Sequence, residues 1–312
     1  PKVTQFQAWN EPNLPNYLSP QWVRGRHGGW IAESPLLYRP MLNAVYATIK
    51  ATRPDATVLS AGTAPYGSPP SSSKLSSMAP VLFYRELLCL HTTALHPEPC
   101  PSPAHFDGFD THPYSAQPTT HARAADDVSV PDLGKLQRVV RAALSSGRLL
   151  PAGPKPLWVT EVGWGTKPPN PTGISQALQA RYLALGFYEI WRQGVSHVLW
   201  FTLRDSGTSS QFFGGGGGVF LAGGQAKLAT SAFRFPFVGV HSGRSGATVT
   251  LWGHAQAAGA VIVQQFRHGQ WVNLAKLGTT PGGVFYGRRP LAGHALLRAV
   301  QGAATSPVWT VS

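Results

Sequence analysis

An α/β chain with parallel strands is predicted by three observations. Over residues 1–236, apolar runs suited to strands buried on both faces alternate five times with amphipathic helical stretches. Two of those runs lead straight into a glutamate, Glu11 and Glu161, so a carboxylate is expected where a strand breaks into a loop. From about residue 237 the texture changes to short β-rich runs punctuated by Gly and Pro, which predicts a small all-β sandwich over 237–312.

The first strand is read from Phe6 into Glu11, followed by a loop through Pro12 and Asn13. Ser34 and Pro35 then open a helix as N-cap and first-turn proline, with Leu37, Met41, Leu42, Val45 and Ile49 as its buried stripe. A short buried strand over 56–62 completes one alternation. A Ser/Pro-rich loop at 67–77 leads to a helix over 80–90, then to a strand over 106–112. The helix at 131–146 turns Leu133, Leu136, Val140 and Leu144 inward. The strand ending at Glu161 follows, then a long helix over 175–193 closed by Gly194, and a strand over 195–201. A Gly-rich loop at 214–218 precedes a last short helix at 226–233. Beyond it, runs at 247–252, 260–266, 271–277, 283–286 and 295–300 are part of an expected six or seven strands.

Composition narrows the function classes. The 312 residues, 43% hydrophobic, are enough for a large core and a second small domain. A net charge of +13 arises from 26 Lys and Arg against 13 Asp and Glu, yet the basic residues are scattered, without the single basic face of a nucleic-acid binder. The first reading of that charge is a basic surface of a Pro/Ala/Gly/Arg-rich proteome, and the functional alternative is attraction to an anionic polymer such as a cell-wall or uronic-acid glycan. No apolar run is long enough to span a bilayer. Cys89 and Cys100 bracket a loop rich in Pro and His and are read as a disulfide; a metal site would need more ligands than the nearby His91 and His96. A secreted protein is expected. The first residue is Pro1, so the N-terminus is expected to be processed, trimmed or truncated.

The six glutamates separate by position. Glu86 and Glu189 fall inside helices, Glu98 lies in the Cys-bracketed loop and Glu33 precedes a helix, which leaves Glu11 and Glu161 at strand ends. Parallel barrels present reacting groups from the C-terminal ends of their strands. Cleaving a glycosidic bond takes an acid for the leaving oxygen and a second carboxylate, the nucleophile in retaining enzymes, about 5–5.5 Å away. The acid of such a pair needs a pKa raised by burial and by its partner's charge. Trp9, Tyr114, Trp164 and Trp200 are expected at the same edge, where rings pack on a sugar's apolar face while Asn10 and His112 meet its hydroxyls. Residues 237–312 contain no Asp or Glu, so that part is read as an accessory domain.

Trp9-Asn10-Glu11-Pro12-Asn13 resembles the acid/base motif on the fourth strand of retaining glycoside hydrolases of the large (β/α)8 clan, of the family 39 and family 5 type. Thr160-Glu161-Val162-Gly163-Trp164 resembles the nucleophile motif on their seventh strand. The resemblance covers roughly residues 3 to 234. It implies Glu11 as general acid/base, Glu161 as nucleophile, and Asn10 as a hydrogen-bond partner of the sugar's 2-hydroxyl. His112-Pro113-Tyr114 matches the sixth-strand segment, with Tyr114 set to hydrogen-bond Glu161 and His112 close to substrate. Trp200 matches the eighth-strand aromatic that floors the reacting subsite. The implied fold is a partial TIM-type (β/α)8 barrel, strands four to eight, lacking the first three βα units. Five strands cannot close an eight-stranded barrel, so a fragment of a longer protein is expected, without the Arg and His that the earlier strands would supply.

The implied activity is retaining hydrolysis of β-glycosidic bonds in an oligo- or polysaccharide by a monomer, with no metal or organic cofactor. The rival reading is a non-catalytic glycan-binding or cell-wall-associated protein on a degenerate barrel, with the terminal sandwich over 237–312 as the binding part. Transglycosylation would use the same residues.

Overall fold

A computed structural model of the protein describes residues 3–71, 76–206, 215–242 and 247–312. The middle of the 67–77 loop and the first glycine of the 214–218 run lie outside the described residues. The chain forms two compact units, one of Pro1–Val162 with Ile190–Trp200 and one of Gly163–Glu189 with Phe201–Ser312.

In the first unit, β1 (Gln5–Gln7), β2 (Thr57–Thr63), β3 (Gly108–Thr111), β4 (Leu157–Val162) and β5 (His197–Trp200) make one curled, half-barrel sheet. The strands lie in chain order and every neighbouring pair is parallel, with Phe6 beside Val58, Leu59 beside Gly108, Phe109 beside Leu157 and Trp158 beside His197. Parallel neighbours require crossover connections, and between consecutive strands run α1 (Ser34–Thr52), α2 (Pro80–Leu87), α3 (Gly134–Ser145) and α4 (Gln176–Trp191). A short hairpin, Trp22–Arg24 with Trp30–Ala32, precedes α1. Cys89 and Cys100 are joined by a disulfide.

Two buried tyrosines tie this unit together. The Tyr38 hydroxyl of α1 donates to the Ala8 carbonyl and accepts from the Ala61 N–H at 2.7 Å, stitching the end of β1 to β2. Tyr84 of α2 donates to the Asp110 carbonyl at 2.8 Å and lies 2.7 Å from Ser60 Oγ. Burial pushes both phenols upward, which keeps them as donors.

Several local expectations are corrected. Ser34 is the first helical residue and not the cap; Glu33 holds the cap position and the Ser34 hydroxyl is 3.0 Å from Gln21 Oε1. The buried face of α1 centres on Ser34, Tyr38 and Leu42, because the backbone partners of the Tyr38 hydroxyl draw that side inward; Val45 is left exposed. On α3, Leu144 is only half-buried while Val139 and Ala143 complete the inner face. The helix expected at 80–90 ends at Leu87.

Among its described residues the second unit contains most of α4, then α5 (Leu228–Arg234) and eight strands: β6 (Phe237–Ser242), β7 (Thr248–His254), β8 (Ala260–Arg267), β9 (Gln270–Gly278), β10 (Val284–Pro290), β11 (Ala295–Gln301), β12 (Ala304–Thr305) and β13 (Trp309–Val311). They form two antiparallel sheets, β6-β7-β10 and β9-β8-β11-β12, with β13 also paired to β11. The number exceeds the expected six or seven because β12 and β13 are too short to show alternation. No helix among the described residues is long and apolar enough to cross a membrane.

Candidate active site

The approach to Glu11 differs from the sequence expectation. The strand stops at Gln7, and Trp9 (φ 88°) and Glu11 (φ 42°) both adopt left-handed backbone conformations that non-glycine residues rarely hold. Such conformations persist only where the surroundings over-determine them. Here the Glu11 N–H donates to the Gly62 carbonyl at 2.9 Å, and the fully buried Asn13 side chain donates to the Ala64 and Met78 carbonyls and accepts from the Ala64 N–H. Gln21 Nε2 adds a bond to the Pro12 carbonyl at 2.8 Å. The loop that carries the carboxylate is thereby fixed to the sheet on both sides of Glu11.

Glu161 sits one residue before the end of β4, where the pairing with β5 shifts register between Val159 and Val162. Such irregularities re-aim side chains next to functional sites. His112 follows β3 directly, with its backbone N–H on the Thr63 carbonyl, and Tyr114 lies two residues further.

These elements bring four predicted residues together. His112 Nδ1 is 2.9 Å from Glu11 Oε1 and 3.8 Å from Glu161 Oε2, and the Tyr114 hydroxyl donates to Glu161 Oε2 at 3.0 Å. One ligand atom each from Glu11, His112 and Glu161 lie within 4.8 Å of one another. The two carboxylates remain partly accessible, while the imidazole is fully covered. Among the described residues this trio is the one set able to hold a small cation.

A second layer fixes the protons. Asp110 accepts from the Thr160 N–H at 3.1 Å and from the Thr160 hydroxyl, and His112 Nε2 lies 3.0 Å from that hydroxyl oxygen. With its hydrogen committed to Asp110, the Thr160 oxygen can only accept from His112, so Nε2 carries a proton. Nδ1 then either accepts from a protonated Glu11 or, in the imidazolium, donates to an ionised one. The His112–Glu11 contact shares a single proton.

Electrostatics follow the same layout. Burial pushes His112 down, but the Glu11 hydrogen bond and the charges of Asp110, Glu161 and Glu11 outweigh it, so its pKa is raised. Burial raises Asp110 to about 6, against the lowering effects of His112 and the Thr160 hydrogen bonds. Burial, then the charge and hydrogen bond of Glu161, raise Tyr114, which stays a phenol.

The other predicted residues are placed as follows. Asn10 is half-buried and bridges to Gly62, and Trp200 is half-buried at the end of β5 beside Val162. Trp9 is 52% exposed, its indole N–H bonded to the Tyr17 carbonyl, which leaves ring surface open to a ligand. Trp164 belongs to the second unit, where it is 5% exposed and packs on Tyr182 and against Gly186.

A scan of protein-family models finds no match to the chain, and no curated protein matches it either. Among solved structures, the chain is similar to a family 39 glycoside hydrolase from the gut symbiont Bacteroides cellulosilyticus WH2, at a TM-score of 0.52 and 19% identity. The match covers 93% of this chain and 56% of that one. The fold is family 39-like. Looser matches are the family 39 enzyme from Xanthomonas axonopodis pv. citri (TM-score 0.41, 14% identity, 97% and 68% of the two chains) and the family 39 β-xylosidase from Caulobacter crescentus (0.44, 15%, 95% and 66%). This chain spans 56% of the length of the Bacteroides enzyme.

Within that family 39-like fold, sequence reasoning missed four residues that shape the site: Gly62, Asp110, Thr160 and Asn13. The run 106–112 carries two aspartates, Asp107 and Asp110, and the only signal for Asp110 is its place beside the apolar Phe109 late in the expected strand. Asn13 and Thr160 lay inside the quoted motifs without a role. Gly62 is unreadable without coordinates, because its necessity comes from His112, far along the chain.

Proposed function

We propose that the protein is a retaining glycosidase acting on β-linked oligo- or polysaccharide, with Glu11 as acid/base and Glu161 as nucleophile. The observation that carries this reading is the spacing: oxygens of the two carboxylates lie within 4.8 Å. Inverting enzymes keep their carboxyl groups about 6.5–9.5 Å apart to admit a water, whereas retaining ones hold them at about 5–5.5 Å so that one can attack directly. A pure sugar binder gains nothing from two carboxylates set so close, because their charges repel.

Glu161 attacks the anomeric carbon while the protonated Glu11 gives its proton to the departing oxygen. Sugar and Glu161 are then joined by an ester. Glu11, now a carboxylate, takes a proton from water as that water displaces Glu161, and the starting state returns with the anomeric configuration retained. Tyr114 holds one oxygen of Glu161 and so aims the other. Asn10 is assigned to the 2-hydroxyl and Trp200 to the floor of the reacting subsite, by the resemblance of their motifs. The five parallel strands are assigned to strands four to eight of a (β/α)8 barrel, the two later sheets to an accessory sandwich, and the protein to the extracellular space as a monomer.

The test uses a panel of chromogenic β-glycosides. Glu161→Gly is expected to abolish turnover, and added azide to restore part of it as a glycosyl azide of inverted configuration. Glu11→Ala, on a substrate with a good leaving group, is expected to yield the azide of retained configuration. Undiminished turnover in either variant ends the assignment.

A further inference from the structure

A second site lies on the solvent face of the β9-β8-β11 sheet. We propose that it binds an acidic polysaccharide through the sugar carboxylates, independently of any chemistry at Glu11 and Glu161.

Strand alternation builds the surface. Along β8, Val261, Val263 and Gln265 are buried while Gln264 and Phe266 point outward. Gln264 stands directly opposite Asn273 of β9 on one side and Arg298 of β11 on the other, so three polar side chains form a row across three strands. At strand spacing that row is about 10 Å long, enough for more than one sugar unit. Phe266 stands opposite Trp271, and the two rings, 5.2 Å apart and tilted, make a ledge beside the row. Phe266 is 40% exposed.

The hydrogen-bond direction along the row is forced. Arginine has only donors, so Arg298 Nε donates to Gln264 Oε1 at 2.9 Å. That fixes the amide of Gln264, whose Nε2 must donate to Asn273 Oδ1 at 3.1 Å. Both amide oxygens are thereby engaged. The hydrogens left over are the second on Gln264 Nε2, both on Asn273 Nδ2 and four on the guanidinium ends, and none has a protein acceptor among the described residues. Arg298 is also braced over the Trp271 ring at 4.2 Å. The row is a fixed array of donors that lacks an acceptor.

An array of this kind selects an anionic oxygen ligand. Arg298 has no carboxylate partner among the described residues, and 237–312 contain neither Asp nor Glu while carrying Arg267, Lys276, Arg288 and Arg289 as well. A carboxylate satisfies guanidinium donors two at a time, and the aromatic ledge offers the flat apolar contact that a pyranose ring takes. An acidic sugar polymer supplies both features in repeat.

The whole protein is tested by affinity electrophoresis in polygalacturonate and in alginate, with methyl-esterified polygalacturonate and duplex DNA as comparisons. Retention by the two acidic glycans is expected, at least tenfold weaker on the esterified polymer. Asn273→Asp, at an exposed position where folding is not at stake, puts an anion into the donor row and is expected to weaken retention at least tenfold, as are Arg298→Gln and Trp271→Ala. Arg289→Gln removes the same charge from the other sheet and is expected to change retention less than twofold. The site is overturned if Asn273→Asp has no effect, if Arg289→Gln matches Arg298→Gln, or if duplex DNA is held as tightly as the glycans. Glu161→Gly is expected to keep full retention even where turnover is lost. Loss of retention in that variant would put the polymer at the glutamate pair and overturn the proposal, leaving the catalytic reading untouched.

Discussion

His112 holds Glu11 through one shared proton: Nδ1 lies 2.9 Å from Oε1, and the hydrogen on Nε2 is dictated by Thr160 and Asp110 behind it. Burial lowers the His112 pKa, but the Glu11 hydrogen bond and the charges of Asp110 and Glu161 raise it further, so the imidazole is expected to set one limb of the pH profile. His112→Asn offers a donor to Glu11 but cannot exchange a proton with it. We expect kcat/KM to fall about 100-fold, the scale of lost general acid–base assistance, and one limb of the pH profile to move. A profile superimposable on that of the parent protein would show that His112 only fills space.

The proton layout also predicts stability against pH. Asp110 is raised to about 6 in the fold, above its ordinary 3.8, so the folded protein binds more protons than the unfolded chain between those values. Stability therefore declines as pH rises from about 4 through about 6, by about 3 kcal/mol at 1.36 kcal/mol per pH unit. The raised His112 acts in the same direction at higher pH, its contribution complete below its ordinary value and lost as pH rises through the folded one. Urea unfolding of Asp110→Asn from pH 4 to 8 is expected to lack the lower decline and keep the upper one. Parallel curves for variant and parent would refute this.

Gly62 and His112 allow a steric prediction. A β-carbon at Gly62 would stand 2.1 Å from His112 Nε2 and 2.8 Å from Asp110 Oδ2, and both side chains are fully buried and hydrogen-bonded, so neither can yield. Gly62→Ala should cost about 1–3 kcal/mol through overpacking and displace the imidazole from Glu11. Turnover is expected to fall further than the loss of folded protein explains, measured by comparing kcat with the thermal midpoint. Wild-type kcat with an unchanged midpoint would contradict the packing argument.

The contrast between Glu161 and Gly62 shows how much was legible beforehand. Strand, helix and strand alternate because apolar periodicity is local, so β2 to β5 and the position of Glu161 at a strand end could be read directly. The Trp9–Glu11 turn could not be read, since its left-handed backbone is imposed by Gly62 and by Asn13 bonding to residues 64 and 78. The stripe of α1 departs from the expected one for a related reason: Tyr38 turns inward because its hydroxyl finds Ala8 and Ala61. Long-range hydrogen bonds have no period, and they are what set the candidate site residues.

The Glu11, His112 and Glu161 trio also predicts a response to metal. Its ligand atoms lie within 4.8 Å, and His112 presents Nδ1 while Nε2 is fixed from behind, the arrangement that prepares a histidine to ligate. The double-displacement reading has the same atoms reacting, so a bound ion would block them. EDTA is expected to leave turnover unchanged and Zn²⁺ to inhibit competitively with substrate. Loss of turnover in EDTA, restored by a divalent ion, would replace the two-carboxylate mechanism with a metal-assisted one.

Lys227 and Asp205 form a fully buried ion pair in the second unit, with Nζ 2.7 Å from Oδ2 and 2.8 Å from Oδ1. The ammonium also donates to Thr166 Oγ1 and to the Gly216 carbonyl, so one cation ties the segment after β4 to the glycine run. Burial lowers the Lys227 pKa, and the hydrogen bond and charge of Asp205 counter it. Removing one partner leaves the other charge buried and uncompensated, which costs about 3–5 kcal/mol, whereas removing both can be nearly neutral. Lys227→Met and Asp205→Leu are each expected to destabilise by that amount in urea unfolding, and the double variant by clearly less than their sum. Additive losses would mean that the pair is not coupled and that Lys227 acts through Thr166 and Gly216 alone.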